Sequence, residues 1–142
     1  MAKNLALDDF PVRTFDKLRY NDTDQQGHIN NAVFATFLET GRTEILFDEQ
    51  APLADLGCAF VIANLKLEFI REVTWPGRVD IGTRVDNIGR SSVIFVQAVF
   101  QNNLLAAKAE TTLVQINAAT RRSQALSHTA VARLTALMSG ED

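Results

Sequence analysis

At 142 residues, 46% hydrophobic and 22% charged, the chain has the size and balance of one globular domain that buries roughly two-thirds of its unfolded surface. A formal net charge of −3 gives no general pull on polyanions, which excludes nucleic acid and an anionic membrane surface as expected partners. Cys58 is the only cysteine, so no intrachain disulfide is available, and its apolar run Gly57-Cys58-Ala59-Phe60-Val61 reads as a buried thiol in a reducing, cytoplasmic setting.

Met1 to Phe10 carries one Lys and two Asp without a long apolar stretch, unlike a signal peptide or a membrane anchor, so the whole chain is expected in the mature protein. Prolines at 11, 52 and 76 punctuate elements, and no repeat or linker divides residues 1–142, which read as a single domain. Arg13 to Tyr20, with Phe15, Leu18 and Tyr20 in a polar setting, predicts a strand, and Asn21 to Gly27 a polar loop. From Asn31 to about Phe47, the residues Phe34, Phe37, Leu38, Gly41 and Ile45 recur at helical spacing. They predict a helix packed on a sheet, with Asn30 as N-cap and Gly41 allowing close backbone approach.

Four strands follow, over Cys58 to Ile70, Arg78 to Asn87, Ser91 to Gln101 and Leu104 to Asn117. The first two alternate apolar with polar residues and have one wet face. The last two are apolar on both faces, which predicts a subunit interface there. His128 to Met138 predicts a closing amphipathic helix.

The most informative stretch is Arg19-Tyr20-Asn21-Asp22-Thr23-Asp24-Gln25-Gln26-Gly27-His28-Ile29-Asn30-Asn31, followed by the helix with Glu39 and Arg42. It resembles the signature of the hydroxybenzoyl-CoA thioesterase family: an Asp-x-Asp-x-x-Gly-His-x-Asn-Asn loop entering a central helix with a Glu-x-x-Arg pair. The matching element order covers about residues 13 to 118. The resemblance implies an α+β hotdog fold, an antiparallel sheet wrapped around a long central helix, and hydrolysis of acyl-CoA thioesters. It further implies Asp24 as the catalytic carboxylate, nucleophile or base, with Asp22 structural. The thioester oxygen would be held at the helix start by the N–H of Asn31, where unpaired amides and a partial positive charge suit a developing oxyanion. Active sites at the interface of a homodimer, or of a tetramer of paired dimers, are implied as well.

Taken without the family, the same residues have plainer readings. Asp and Asn before a helix serve as turn formers and caps, Gly27 supplies a backbone geometry closed to other residues, and His28 is either a base or a loop-holding hydrogen-bond partner. Glu39 and Arg42 at i,i+3 read as a helix-surface ion pair, although some related hotdog thioesterases carry their acid on this helix. Cys58 lacks the base and positive setting of a nucleophile. Trp75-Pro76-Gly77-Arg78 and Ile88-Gly89-Arg90-Ser91-Ser92 also resemble the family, where the second turn lies near CoA; Arg90, Ser91 and Ser92 are the expected CoA-binding residues, with Arg71 a weaker candidate. A plain glycine turn with an exposed arginine is the alternative, and Arg121-Arg122 reads as solvated surface.

Phe34, Phe37, Leu65 and Leu67 are expected to line the acyl slot. No cofactor and no metal are expected: the two His are far apart in sequence, and Asp22 with Asp24 alone would hold a hard cation weakly. Two other functions fit a hotdog protein. One is a hydroxyacyl-thioester dehydratase, against which the Asp24 loop argues; the other is an acyl-thioester-binding module without turnover, disfavoured by Asp24, Gly27 and Asn31 standing together.

Overall fold

The structure, a computed structural model, describes residues 5–50 and 52–138. Five strands, β1 (Val12–Lys17), β2 (Cys58–Phe69), β3 (Arg78–Ile88), β4 (Ser92–Gln101) and β5 (Leu104–Asn117), form one antiparallel sheet in the order β1-β3-β4-β5-β2. Helix α1 (Val33–Leu46) packs on one face, and α2 (His128–Thr135) closes the far end. This is the expected α+β architecture of a sheet wrapped on a long helix.

Period-two alternation decides which side chains meet α1. Ile81 and Thr83 of β3 stand in register with Val99 and Gln97 of β4, and these with Ala107 and Ala109 of β5. Against them α1 sets Phe34, Phe37, Leu38, Gly41 and Ile45, all buried, the stripe that helical spacing predicts. Each large side chain buried here contributes about 1.5–3 kcal/mol. At Gly41 the helix lies tightly against sheet side chains, since a Cβ there would lie 2.6 Å from Gln97 Nε2 and 2.7 Å from Ile81 Cγ2.

Four expectations are corrected. The first strand ends at Lys17 rather than Tyr20, because the Arg19 N–H and guanidinium both turn onto the Asp22 carboxylate and curl Tyr20–Asp22 into a 3-10 turn. Helix α1 starts at Val33, and the Asn30 side chain caps the turn before it, accepting the Ala32 N–H at 2.9 Å. The last helix stops at Thr135, after which the Leu137 carbonyl accepts the Val85 N–H of β3. Finally, the apolar outer face of β4 is covered in part within the chain: Phe10 covers Ala98 and Phe100, assisted by Leu5 and Leu7, while β5 shows Lys108 and Glu110 outward. Gly82 makes the room, as a Cβ there would lie 2.6 Å from the Phe10 ring.

Apolar side chains also stand uncovered on β2, the edge strand, where Val61, Ile62, Leu65 and Phe69 are exposed. No helix among the described residues is long and apolar enough to cross a membrane.

Candidate active site

The loop from Arg19 to Asn30 is stapled at its base by Asp22. Its buried carboxylate accepts the Arg19 N–H at 3.0 Å and the Arg19 guanidinium at 3.1 Å, while its carbonyl accepts the Asn30 N–H at 2.8 Å. The hydrogen bond to Asp22 and its negative charge raise the Arg19 pKa above its ordinary value. One residue thereby fixes both ends of the loop.

Within the loop, Asp24 is held from its own turn. Its Oδ1 accepts the N–H groups of Gln26 at 2.8 Å and His28 at 3.1 Å, and its carbonyl accepts the Gly27 N–H at 3.3 Å. Gly27 closes this turn at φ +82, with nothing within 4 Å of where a Cβ would stand; the glycine is required by backbone conformation, not by crowding. The other carboxylate oxygen, Oδ2, accepts no hydrogen bond among the described residues.

Asp24 faces a cavity of about 310 Å³ shared with His28, Asn31, Phe34, Phe69 and Glu72. At the entry to α1 the amides of Asn30, Ala32, Val33 and Phe34 are each taken, by Asp22 O, Asn30 Oδ1, Asn30 O and Asn31 O respectively. The Asn31 N–H alone in that run has no acceptor among the described residues. Asp24, with an unbound carboxylate oxygen, and Asn31, with an unclaimed helix-entry amide, therefore line one cavity, a pairing that can attack a carbonyl and hold its developing charge.

The loop between β2 and β3 supplies the opposite wall, most of which carries no motif in the sequence. Glu72 approaches His28, with Oε2 3.3 Å from Nδ1, and the Val73 carbonyl accepts the Ile29 N–H at 2.8 Å. Arg71 also lines the cavity. Of the four residues expected in the acyl slot, Phe34 lines this cavity and meets Phe69 edge-on at 5.2 Å. Phe37 and Leu67 do not line it and pack with the core, while Leu65 stands exposed on β2.

Arg90, Ser91 and Ser92 are not brought to Asp24 within the chain. They form the turn between β3 and β4, whereas the Asp24 loop adjoins the opposite end of β3, where the Gly77 carbonyl accepts the Leu18 N–H. The 11 residues of β3 separate the two regions by about 35 Å.

Glu39 and Arg42 do not make the expected surface ion pair. Arg42 turns inward, 8% exposed, and donates from Nη1 to Gln97 Oε1 at 3.2 Å and Thr111 Oγ1 at 3.5 Å; Glu39 stays on the surface. Burial pushes the guanidinium pKa below its ordinary value, with the Glu39 charge opposing the shift. Cys58 is half-buried at the start of β2, not fully buried as expected. Arg121 and Arg122 are exposed. Among the described residues, no three His, Cys, Asp or Glu side chains gather to hold a metal ion.

An antiparallel sheet wrapped on one helix, with a carboxylate loop feeding the helix start, defines a hotdog thioesterase-like protein. The family model described as Thioesterase-like superfamily matches residues 18–134, and the chain belongs to that superfamily. It is 29% identical over 134 residues to the acyl-CoA thioester hydrolase YbgC of Escherichia coli O6:H1, covering 91% of this chain and 96% of that protein. It is 30% identical over 104 residues to the acyl-CoA thioesterase YbgC of Haemophilus influenzae, covering 70% of this chain and 74% of that one. Among solved structures, a Thermus thermophilus thioesterase complexed with coenzyme A and Zn superposes with a TM-score of 0.77 at 29% identity, covering 91% of this chain and 95% of that one.

Proposed function

We propose that this protein hydrolyses acyl-CoA thioesters to the free acid and CoA, with Asp24 as the attacking or water-activating carboxylate and the Asn31 N–H as oxyanion donor. The observation that carries this reading is the pairing of the unbound Asp24 Oδ2 with the unclaimed Asn31 N–H around one cavity. In the base route, Asp24 takes a proton from water as the water oxygen bonds to the thioester carbon. The carbonyl oxygen becomes an oxyanion facing Asn31, the C–S bond then breaks, and the CoA thiolate leaves and is protonated. In the nucleophile route, Asp24 displaces the thiolate to give an acyl-aspartyl anhydride that water opens. Gly27 shapes the turn and His28, steadied by Glu72, holds the wall. Release of free thiol from a panel of acyl-CoA substrates by wild-type and Asp24→Asn protein tests the reading, and trapping of an acyl-aspartyl species separates the two routes. An active, well-folded Asp24→Asn protein rejects Asp24 and moves suspicion to Glu39.

We further place the protein in the cytoplasm as a homodimer, or a tetramer of paired dimers, joined through β2. The 12-residue edge strand leaves its outer ladder unpaired and carries exposed Ile62, Leu65 and Phe69. Antiparallel pairing of two β2 strands sets the Phe69 end of one chain beside the Cys58 end of the other. The 89–92 turn belongs to the Cys58 end, since the Ser91 carbonyl accepts the Gln115 N–H and Gln115 is in register with Phe60. The partner's Arg90 then comes to the cavity that its own chain holds far from it, with Ser91 and Ser92 beside it, to meet CoA phosphate. Sedimentation at micromolar concentration is expected to give at least a dimer, and a monomer there rejects this arrangement.

A further inference from the structure

The wall opposite Asp24 is a connecting loop, and its order has to come from somewhere. Thr74 pairs with His28 in an isolated antiparallel bridge, in which the flanking Ile29 N–H bonds the Val73 carbonyl at 2.8 Å. In such a pair the N–H and C=O of the central residue point away from the facing strand, so those of Thr74 are directed away from the Asp24 loop. One side chain takes both. Gln101, the last residue of β4, accepts the Thr74 N–H at Oε1 (3.1 Å) and donates from Nε2 to the Thr74 carbonyl (2.8 Å).

A primary amide is the side chain suited to this task, because it offers an acceptor and a donor on one planar group. Gln101 thus does for Thr74 what a third strand would do. The other ties on the loop are the Ile70 and Arg71 N–H groups to the Ala106 carbonyl at its start, the Leu18 N–H to the Gly77 carbonyl at its end, the burial of Val73 in the core, the Ile29–Val73 bond, the Glu72–His28 pair and an edge contact of Trp75 with Tyr20. Among the described residues, the hydrogen bonds that tie the loop to the central strands β3, β4 and β5 are those of Ile70 and Arg71 at its start and those of Gln101 at Thr74; Val73 adds packing, and the rest join the loop to the Asp24 region.

We infer that Gln101 is a positioning residue for thioester hydrolysis: its two-point clamp on Thr74 anchors the 72–74 wall to β4 and so fixes Glu72 and His28 relative to Asp24. The inference rests on the proposed activity at Asp24. The chain of contacts is direct, since His28 N–H bonds Asp24 Oδ1 while the His28 ring meets Glu72. Gln101 itself does not line the Asp24 cavity.

The test compares Gln101→Ala, Gln101→Glu and Asp24→Asn with wild type, using thiol release from hexanoyl-CoA and benzoyl-CoA. Gln101→Ala is expected to lower kcat about tenfold with little change in KM, within the hundredfold that a 1 Å misplacement costs. Amide exchange is expected to rise across residues 71–75 but not in β3 or β4. In Gln101→Glu the ionised carboxylate can accept from the Thr74 N–H but repels its carbonyl, whereas the protonated form donates to it. The kcat ratio of Gln101→Glu to wild type should therefore climb as pH falls toward about 4.3, the ordinary glutamic acid value, while the Gln101→Ala ratio shows no such rise. Should Gln101→Ala fail to fold, the size-preserving Gln101→Glu carries the test through that pH profile. Wild-type kcat in Gln101→Ala beside an inactive Asp24→Asn overturns the clamp alone, as does a pH-independent Gln101→Glu ratio. An active Asp24→Asn protein overturns the site and the clamp together.

Discussion

Helix α1 treats its polar surroundings in opposite ways at its entry and at its middle. At the middle, Gln97 Nε2 donates to the Leu38 carbonyl at 3.0 Å and to Thr83 Oγ1 at 2.9 Å, while its Oε1 accepts from Arg42. No buried side-chain nitrogen or oxygen among the described residues lacks a partner. At the entry, four neighbouring amides are capped and that of Asn31 is left open, on a cavity shared with Asp24, whose Oδ2 is left equally open. An unpaired polar group in the middle would cost about 1–3 kcal/mol, so the fold closes that region; at the entry the same openness is what a substrate carbonyl can use. The lesson is that the unsatisfied groups, more than the charged ones, mark out the candidate site.

Breaking the open end should remove chemistry and leave stability alone. Asp24→Asn keeps the side-chain shape and an Oδ1 acceptor for Gln26 and His28 but loses charge and basicity. We expect turnover to fall at least about a hundredfold in a protein with unchanged urea midpoint and assembly. Breaking the closed middle should do the reverse. Gly41→Ala pushes a methyl into Gln97 and Ile81; overpacking costs about 1–3 kcal/mol, offset by about 1 kcal/mol of helix propensity, so a net loss of up to about 2 kcal/mol is expected by urea denaturation. The kcat of the folded fraction should change less than in Asp24→Asn. The smallest expected effect sharpens the picture of how CoA is held: Arg90→Ala should raise KM several-fold at low ionic strength and leave kcat nearly unchanged, because a phosphate contact remote from the carbonyl is made equally in ground and transition states. Added salt should erase the difference. An unchanged KM at low salt would leave Arg90 as a turn residue.

Legibility in the sequence followed the same division. Strands β2 to β5 and the α1 stripe were readable because alternation and helical spacing report burial directly. The Asp24 loop was readable through its motif. Arg42 was misread because i,i+3 spacing to Glu39 describes neighbours on a helix without saying which face of it the sheet covers. The outer face of β4 was misread because its cover, Phe10, sits in an aperiodic lead-in that no pattern links to Ala98 and Phe100. Glu72, Thr74 and Gln101 were invisible as a group, since the bonds joining them to the Asp24 loop run between distant segments and leave no local signature.

The bare edge of β2 has a consequence for handling and for physiology. A long unpaired strand with exposed Ile62, Leu65 and Phe69 is a template for unwanted pairing as well as for the proposed partner. The register shift between Ile62 and Asn64, and the charges of Lys66 and Glu68, limit which strands can lie against it. With assembly through this edge, heat tolerance becomes a matter of mass action: dilution shifts chains toward the form whose edge is open, and the melting temperature falls with it.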